Sequence, residues 1–560
     1  MNFTAFLRNW TRITVPLFLM ASTAVAQVIF VDANAPGAND GTSWLDAYTN
    51  LQDALAHAVS GDEIRVAQGI YKPDQGSEQS PGDRHASFRL LNHVSIKAGY
   101  AGNGAIDPNA RSIAEFETIL SGDLGGDDIL IDEPSRLWYE ATRAENSYHV
   151  VVAKNTDETA VLDGFTITGG NAVGCPQWPS EYSCGGGMYN EDSSPTVMHC
   201  MFASNAAEEV GGGMCNWRGS PTLISCRFVS NVAMGGGAIC NYADEGTCDP
   251  KLEDCTFSAN ASLGDGGAIY NDAYWGQCRP ALSNCMFSAN FAQQDGGAMC
   301  NLSWFGGTCD LRLSECRFTA NTAHMRGGGM YNELSTVIMA HCLLYENTAL
   351  SGGGIYNDDS NPIITNCTFG DNTALSQGGA IINIGAGNPE FTNCILWANN
   401  PEQIVGKATV RCSDIQGGWP GEGNIQAQPH FAAPHSGDYR LKSEAGRWDT
   451  DEQRWVEDDE TSPCIDAGCM DTDWSAELWP HGGRINMGVY GGSSQASMSL
   501  TAIGSPADLN RDNSVDMMDL AHLANSWQWV KVLLPEDLNR DGLVDIFDLQ
   551  ILADRWLFQQ

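Results

Sequence analysis

Cys255-Thr256-Phe257-Ser258-Ala259-Asn260 leads, after five residues, to Gly266-Gly267-Ala268-Ile269-Tyr270-Asn271. Thirty residues later Cys285-Met286-Phe287-Ser288-Ala289-Asn290 leads in the same way to Gly296-Gly297-Ala298-Met299-Cys300-Asn301. The frame recurs along the chain. A first Asn stands at Asn205, Asn231, Asn260, Asn290, Asn321, Asn347 and Asn372. A second stands at Asn216, Asn241, Asn271, Asn301, Asn332, Asn357 and Asn383, preceded by Asn190 in a more degenerate copy. A fixed internal period of this length marks a solenoid, not a set of separate domains.

The apolar positions keep the same beat. Val197, Cys200 and Phe202 return as Leu223, Cys226 and Phe228, then as Leu252, Cys255 and Phe257, and so on to Phe391, Cys394 and Leu396. The step of two from Cys to Phe is a strand with one buried face. The step of three before it breaks the alternation and predicts a bend at His199, Ser225, Asp254, Asn284, Glu315, His341, Asn366 and Asn393. A period near 26 with short strands, Gly-rich corners and Asn at fixed turns predicts a right-handed parallel β-helix followed by a small α-helical tail. Stacking like residues at about 4.8 Å would explain the repeated Cys, Phe and Asn without any chemistry. A leucine-rich repeat would show an L-x-x-L-x-L pattern, and none is present. The nine recurrent cysteines from Cys200 to Cys412 then read as a ladder of small buried thiols, with vertical disulfides geometrically open.

Composition agrees. The 560 residues carry 29 Lys+Arg against 69 Asp+Glu, a net charge of −40, which excludes a nucleic acid or anionic membrane partner. Charged residues are only 18% and hydrophobics 42%, so wholesale disorder is excluded. The 61 glycines follow no Gly-X-Y period, which excludes collagen. At the N-terminus Arg8 and Arg12, the apolar run Ile13 to Ala24, and Ala24-Val25-Ala26 predict a secretory signal over 1–26. The mature chain is then exported, with no later segment apolar enough to span a bilayer.

The paired Gly-Gly-Ala-Ile and Phe-Ser-Ala-Asn tetrapeptides resemble the chlamydial polymorphic outer-membrane protein repeat, over about residues 160–400. They also resemble secreted bacterial β-helices in general, a group that includes pectate-lyase-like enzymes. No C-terminal run of amphipathic barrel strands follows, in contrast to the outer-membrane family. Residues 27–155 fit a cap and the first coils, with Trp44, Leu51, Ala54, Leu55 and Ala58 as an apolar helical face. Residues 156–492 hold the repeats and a closing segment, in which Ser462 to Gly468, Arg484 and Gly488-Val489-Tyr490 resemble the end of many bacterial surface β-helices. Residues 493–506 read as a linker.

The tail carries the sharpest motif. Asp508, Asn510, Asp512, Asp516 and Asp519 occupy positions 1, 3, 5, 9 and 12 of a loop, and Ser514 would offer its carbonyl at position 7. Asp537, Asn539, Asp541, Leu543, Asp545 and Asp548 repeat the set 29 residues later. Hard oxygen donors at this spacing suit Ca²⁺, one ion per loop. Each loop runs into an amphipathic helix with the same face, Leu520, Leu523, Ala524 and Trp527, then Leu549, Leu552, Ala553 and Trp556. The duplication over 507–560 resembles a type I dockerin, with Asn513 where the first loop usually has Gly. That resemblance implies a cohesin-like protein partner, selected by loop positions 10 and 11, here Met517, Met518, Ile546 and Phe547. The same four side chains could instead complete the small core of the module.

Three consecutive coils carry longer insertions, with Cys248, Cys278 and Cys309 and the aromatics Tyr242, Tyr274, Trp275, Trp304 and Phe305; Trp217 stands at the equivalent site one coil earlier. Stacked on one edge, these rings would form either a platform for polysaccharide or a self-packed ridge stapled by disulfides, some to Cys215, Cys240 and Cys300. The self-packed ridge is the plainer expectation. A lyase would need a base beside a calcium or arginine cluster, and a hydrolase two facing carboxylates. Neither is selected by the spacing, and Asp254 with Glu315 or Asp123 is one unselected pairing. Two readings follow: a non-catalytic secreted or cell-surface β-helix assembled through its tail, or a polysaccharide lyase or glycoside hydrolase carried by that tail.

Overall fold

The computed structural model describes residues 26–174 and 181–557; the expected signal peptide lies almost wholly outside them. One coil is representative. Lys251–Glu253, Thr256–Ser258, Ala261–Asp265 and Ile269–Tyr274 are four short strands, each hydrogen-bonded in parallel to its counterpart one coil on. Propagated along the chain, they give parallel sheets of 15, 12, 8 and 11 strands. The result is a parallel β-helix.

The corners explain the repeat. All eight predicted bend residues adopt the left-handed conformation, from His199 at φ 52° to Asn393 at φ 55°. The residue before each first-column Asn does the same, as at Ser230 and Ala259, both at φ 54°. Glycine is obligatory at the third turn. Gly266 has φ 65°, and a Cβ there would lie 2.4 Å from the Ile269 carbonyl oxygen. Its neighbour Gly267 faces the next coil, where a Cβ would sit 2.0 Å from the Gly297 oxygen. No side chain fits between coils stacked that closely.

Inside, like stacks on like. Phe202, Phe228, Phe257, Phe287 and Phe318 lie near-parallel at centroid spacings of 4.8, 5.1, 4.6 and 4.7 Å. Both Asn columns are buried ladders in which a side-chain amide donates to the carboxamide oxygen of the next coil, for example Asn241 to Asn271 at 2.7 Å, until Asn383 ends its column on the Lys407 carbonyl. The cysteine column is buried and unbridged until its last member, Cys412, which is disulfide-bonded to Cys469. Burial pushes the thiols of Cys200 and Cys394 up to about 12.

Both ends are covered. Helix α1 (Leu51–His57) buries Leu51, Ala54 and Leu55 against the first coil. At the far end residues 462–499 fold back along the bend edge of the sheets. There Asn366 donates to the carbonyls of Asn486, Gly488 and Gly491 at 3.3 to 3.4 Å. No helix among the described residues is long and apolar enough to cross a membrane.

Candidate functional site

The insertion ridge is two groups, not one stack. Trp217 and Tyr242 are register partners with ring centroids 4.6 Å apart. The next position in that row is Asp272 and the one after it Leu302, so the aromatic run stops there. Tyr274 pairs in register with Trp304, two residues further along the strand. Trp275 and Phe305 sit at adjacent corners with φ 56° and 53°, 58% and 60% exposed, with rings 5.7 Å apart and 15° from parallel. Tyr274 meets the Phe305 edge at 5.0 Å.

The cysteines below correct the expected staples. Cys248, Cys278 and Cys309 form a second buried column and are free, as are Cys215, Cys240 and Cys300. In-register parallel strands put these cysteines above one another, and the Cys248 and Cys278 thiols reach carbonyls of the preceding coil, Cys278 that of Asn241 at 3.8 Å. Cys248 donates to the Gly219 oxygen at 3.0 Å.

Asp272 was not legible in advance. It is 8% exposed, between Tyr242 and Leu302 in a row that also carries Glu191, Trp217 and Glu333. Burial, reinforced by the charge of Asp244, pushes its carboxyl up to about 6, although the Tyr270 hydroxyl donates to it at 3.3 Å. Its Oδ1 has no hydrogen-bond partner among the described residues. Elsewhere among the described residues Asp123, Asp127 and Glu145 bring carboxylate oxygens within 4.8 Å of one another.

A polar cleft of 310 Å³ opens where the closing segment stops covering the bend column. Asn284, Glu315, Arg317 and His341 form one wall, and Tyr490 and Gln495 stand opposite. Arg317 donates to the Tyr490 hydroxyl at 3.3 Å, and the buried Arg440 guanidinium lies 4.3 Å from the Tyr490 ring centroid. His341 keeps a structural contact, a 3.4 Å approach to the Val489 carbonyl. His199 pairs with Asp163 at 2.9 Å.

In the tail, the two loops are near-copies in hydrogen bonding. Asp508 accepts from the backbone of Asp512 and Asn513 at 3.1 and 3.0 Å; Asp537 accepts from Asp541 and Gly542 at 3.1 and 2.9 Å. Asn510 donates to Asp512 and Asn539 to Asp541, at 3.0 and 2.9 Å. Asp512 and Asp541 also accept from the backbone of Ser514 and Leu543. Asp516 and Asp545 cap helices α2 (Met517–Asn525) and α3 (Ile546–Asp554), with the buried Asp519 and Asp548 closing each capping box. The arrangement is pseudo-two-fold: Leu557 donates to the Val515 carbonyl and Gln528 to that of Val544. Val515, Leu523, Val544 and Leu552 fill the core between them. Met517, Met518, Ile546 and Phe547 are 58 to 64% exposed and do not enter that core.

These residues fit a divalent oxygen-seeking cation. Burial, then the neighbouring Asp519 and Asp512, raise the Asp508 carboxyl; burial, then Asp548 and Asp541, raise Asp537. Crowded acidic oxygens with amide and carbonyl oxygens at the same spacing are a hard donor set of the calcium type.

A family model described as Disaggregatase related matches residues 335–468. The Chlamydia polymorphic membrane protein repeat matches residues 254–272, one coil of the ladder described above. The chain is a parallel β-helix protein, similar to that repeat over this coil. No curated protein matches it. Among solved structures, pectate lyase Pel9A aligns over 83% of this chain and 96% of that one, at 13% identity and a TM-score of 0.40.

Proposed function

We propose that the protein is a secreted or cell-surface β-helix, assembled through a calcium-dependent, dockerin-like tail that binds a cohesin-like partner. The observation that carries this reading is the equivalence of the two loops. Asp508 and Asp537 gather the same pair of backbone N–H groups, and each loop delivers an exposed apolar pair, Met517-Met518 or Ile546-Phe547, to the first turn of its helix. Bound Ca²⁺ would neutralise the acidic loops and hold those turns. Asp508, Asn510, Asp512, Ser514, Asp516 and Asp519 would hold one ion, and Asp537, Asn539, Asp541, Leu543, Asp545 and Asp548 the other. Titration calorimetry on the full chain should resolve two calcium sites, both abolished in Asp508→Ala/Asp537→Ala. Two-fold-related faces imply two docking orientations. Substituting Met517 and Met518 by Asp should then leave most cohesin binding intact, and adding Asp at Ile546 and Phe547 should remove it.

A second reading, polysaccharide binding or cleavage by the β-helix, is favoured by Asp272. Its buried carboxyl titrates near the range of a general acid, Asp244 supplies a second carboxylate in its field, and the flat exposed pair Trp275 and Phe305 lies on an adjoining corner. Incubation with neutral and acidic polysaccharides in Ca²⁺ tests it. Unsaturated ends would mark a lyase and new reducing ends a hydrolase, and Asp272→Asn should abolish either. Loss of glycan binding in Trp275→Ala without any cleavage would leave binding alone.

A further inference from the structure

The tail loops also touch their own β-helix. Arg511 and Arg540 are the fourth residues of the two loops, 29 positions apart, and both are half-buried. Both are left-handed, at φ 59° and 62°. Arg511 donates to the Glu477 carbonyl at 2.8 Å and reaches the Trp474 carbonyl at 3.5 Å, with its guanidinium 5.1 Å from the Trp474 ring centroid. Arg540 donates to the Trp479 carbonyl, lies 5.5 Å from the Trp455 ring centroid, and touches the Met498 sulfur. Two symmetry-related arginines thus grip one turn-rich stretch, residues 474–479, and each lies on a tryptophan. A guanidinium fork on main-chain carbonyls with an indole beneath it is a strong, directional contact. A chance contact would engage one loop; here the pseudo-two-fold engages both. The exposed Met517, Met518, Ile546 and Phe547 take no part in it.

The arginines also report on the loops. The left-handed turn at Arg511 is closed by Asp508 accepting from Asp512 and Asn513, and that at Arg540 by Asp537 accepting from Asp541 and Gly542. Without a cation the clustered carboxylates repel, and those are the turns that would open.

We infer that the tail docks on the closing segment of its own β-helix through Arg511 and Arg540, and that calcium in the loops and this docking stabilise each other. The linkage rests on the calcium reading above; the docking does not. By reciprocity, calcium binds more tightly to the docked tail, and withdrawing it frees the tail to swing away while still tethered.

Hydrogen–deuterium exchange on the full chain, read at residues 474–479, tests both parts alongside a calorimetric calcium titration. In the unaltered protein, chelation should speed exchange there at least tenfold. Arg511→Ala/Arg540→Ala should show the fast exchange even in calcium and bind calcium several-fold more weakly. Arg511→Lys/Arg540→Lys, which keeps charge but loses the fork, should behave like the Ala pair. Unchanged exchange in both double variants would overturn the docking. Fast exchange in the variants with an unmoved calcium midpoint, or with no calcium heat in any form, would overturn the linkage and leave the docking standing.

Discussion

The side-chain amide of Asn231 donates to the Asn260 carboxamide oxygen at 3.0 Å, and Asn260 passes the same bond to Asn290 at 3.0 Å. The ladder has a direction: every Asn-to-Asn bond is donated toward the C-terminal coil. The Asn260 oxygen also takes the Asn231 backbone N–H at 3.1 Å, and its amide also reaches the Phe228 carbonyl at 2.9 Å. One side chain therefore completes four polar groups at a fully buried position.

Asn260→Ala should accordingly destabilise by roughly 3 kcal/mol or more, because buried donors and acceptors are left unmade on both neighbouring coils. Urea unfolding checks this. A loss below about 1 kcal/mol would mean that water enters the corner and replaces the amide.

Gly267→Ala should fail to give a folded β-helix, because its Cβ would lie 2.0 Å from the Gly297 oxygen and 2.7 Å from Phe291 main-chain atoms. Gly306→Ala is the control. It has φ 89° but nothing within 4 Å of a Cβ, so it should cost only about 1 kcal/mol of backbone strain. Circular dichroism and melting of the two variants separate steric exclusion from conformational strain.

Glu477 predicts a pH dependence. It is 2% exposed, and burial pushes its carboxyl up to about 7, although it accepts from the backbone of Asn486 and Gly492 at 2.8 and 2.7 Å. The folded state holds this proton more tightly than the unfolded state. Its contribution is therefore fully present below about 4.5 and falls away as pH rises through about 7. Glu477→Gln keeps an acceptor without a charge. It should be near-neutral at pH 5 and stabilising at pH 8, by at most about 3 kcal/mol. Equal melting shifts at both pH values would contradict the assignment.

The thiols give a mass-spectrometric prediction. Sixteen described cysteines are free and buried, so alkylating reagents should label none of them in the native protein and all of them after unfolding without reductant. Cys412 and Cys469 should stay unlabelled and appear as one linked peptide pair. A linked pair from adjacent coils, such as Cys255 with Cys285, would show that the column oxidises.

What the sequence determined by itself is whatever the period repeats. A coil of fixed length returns each residue to the same corner, so Asn260 lies beside Asn290 and Phe257 beside Phe287 in any structure that stacks the coils. The broken alternation placed a bend at Asp254 and Asn284, where the backbone is left-handed at φ 54° and 49°. The paired tail loops were legible for the same reason, since the spacing of their acidic residues is local. Tertiary structure decided what is aperiodic. Asp272 is buried beside Tyr270, whose hydroxyl donates to it, a pairing that no spacing announces. The aromatics divide because Trp304 falls two positions along the strand from the row of Trp217 and Tyr242. Cys412 finds Cys469, and Arg511 finds Glu477, across 57 and 34 residues of chain that carry no repeat. Such contacts depend on how the closing segment folds back over the coils, a route set by the summed packing of many weak contacts and written in no single motif.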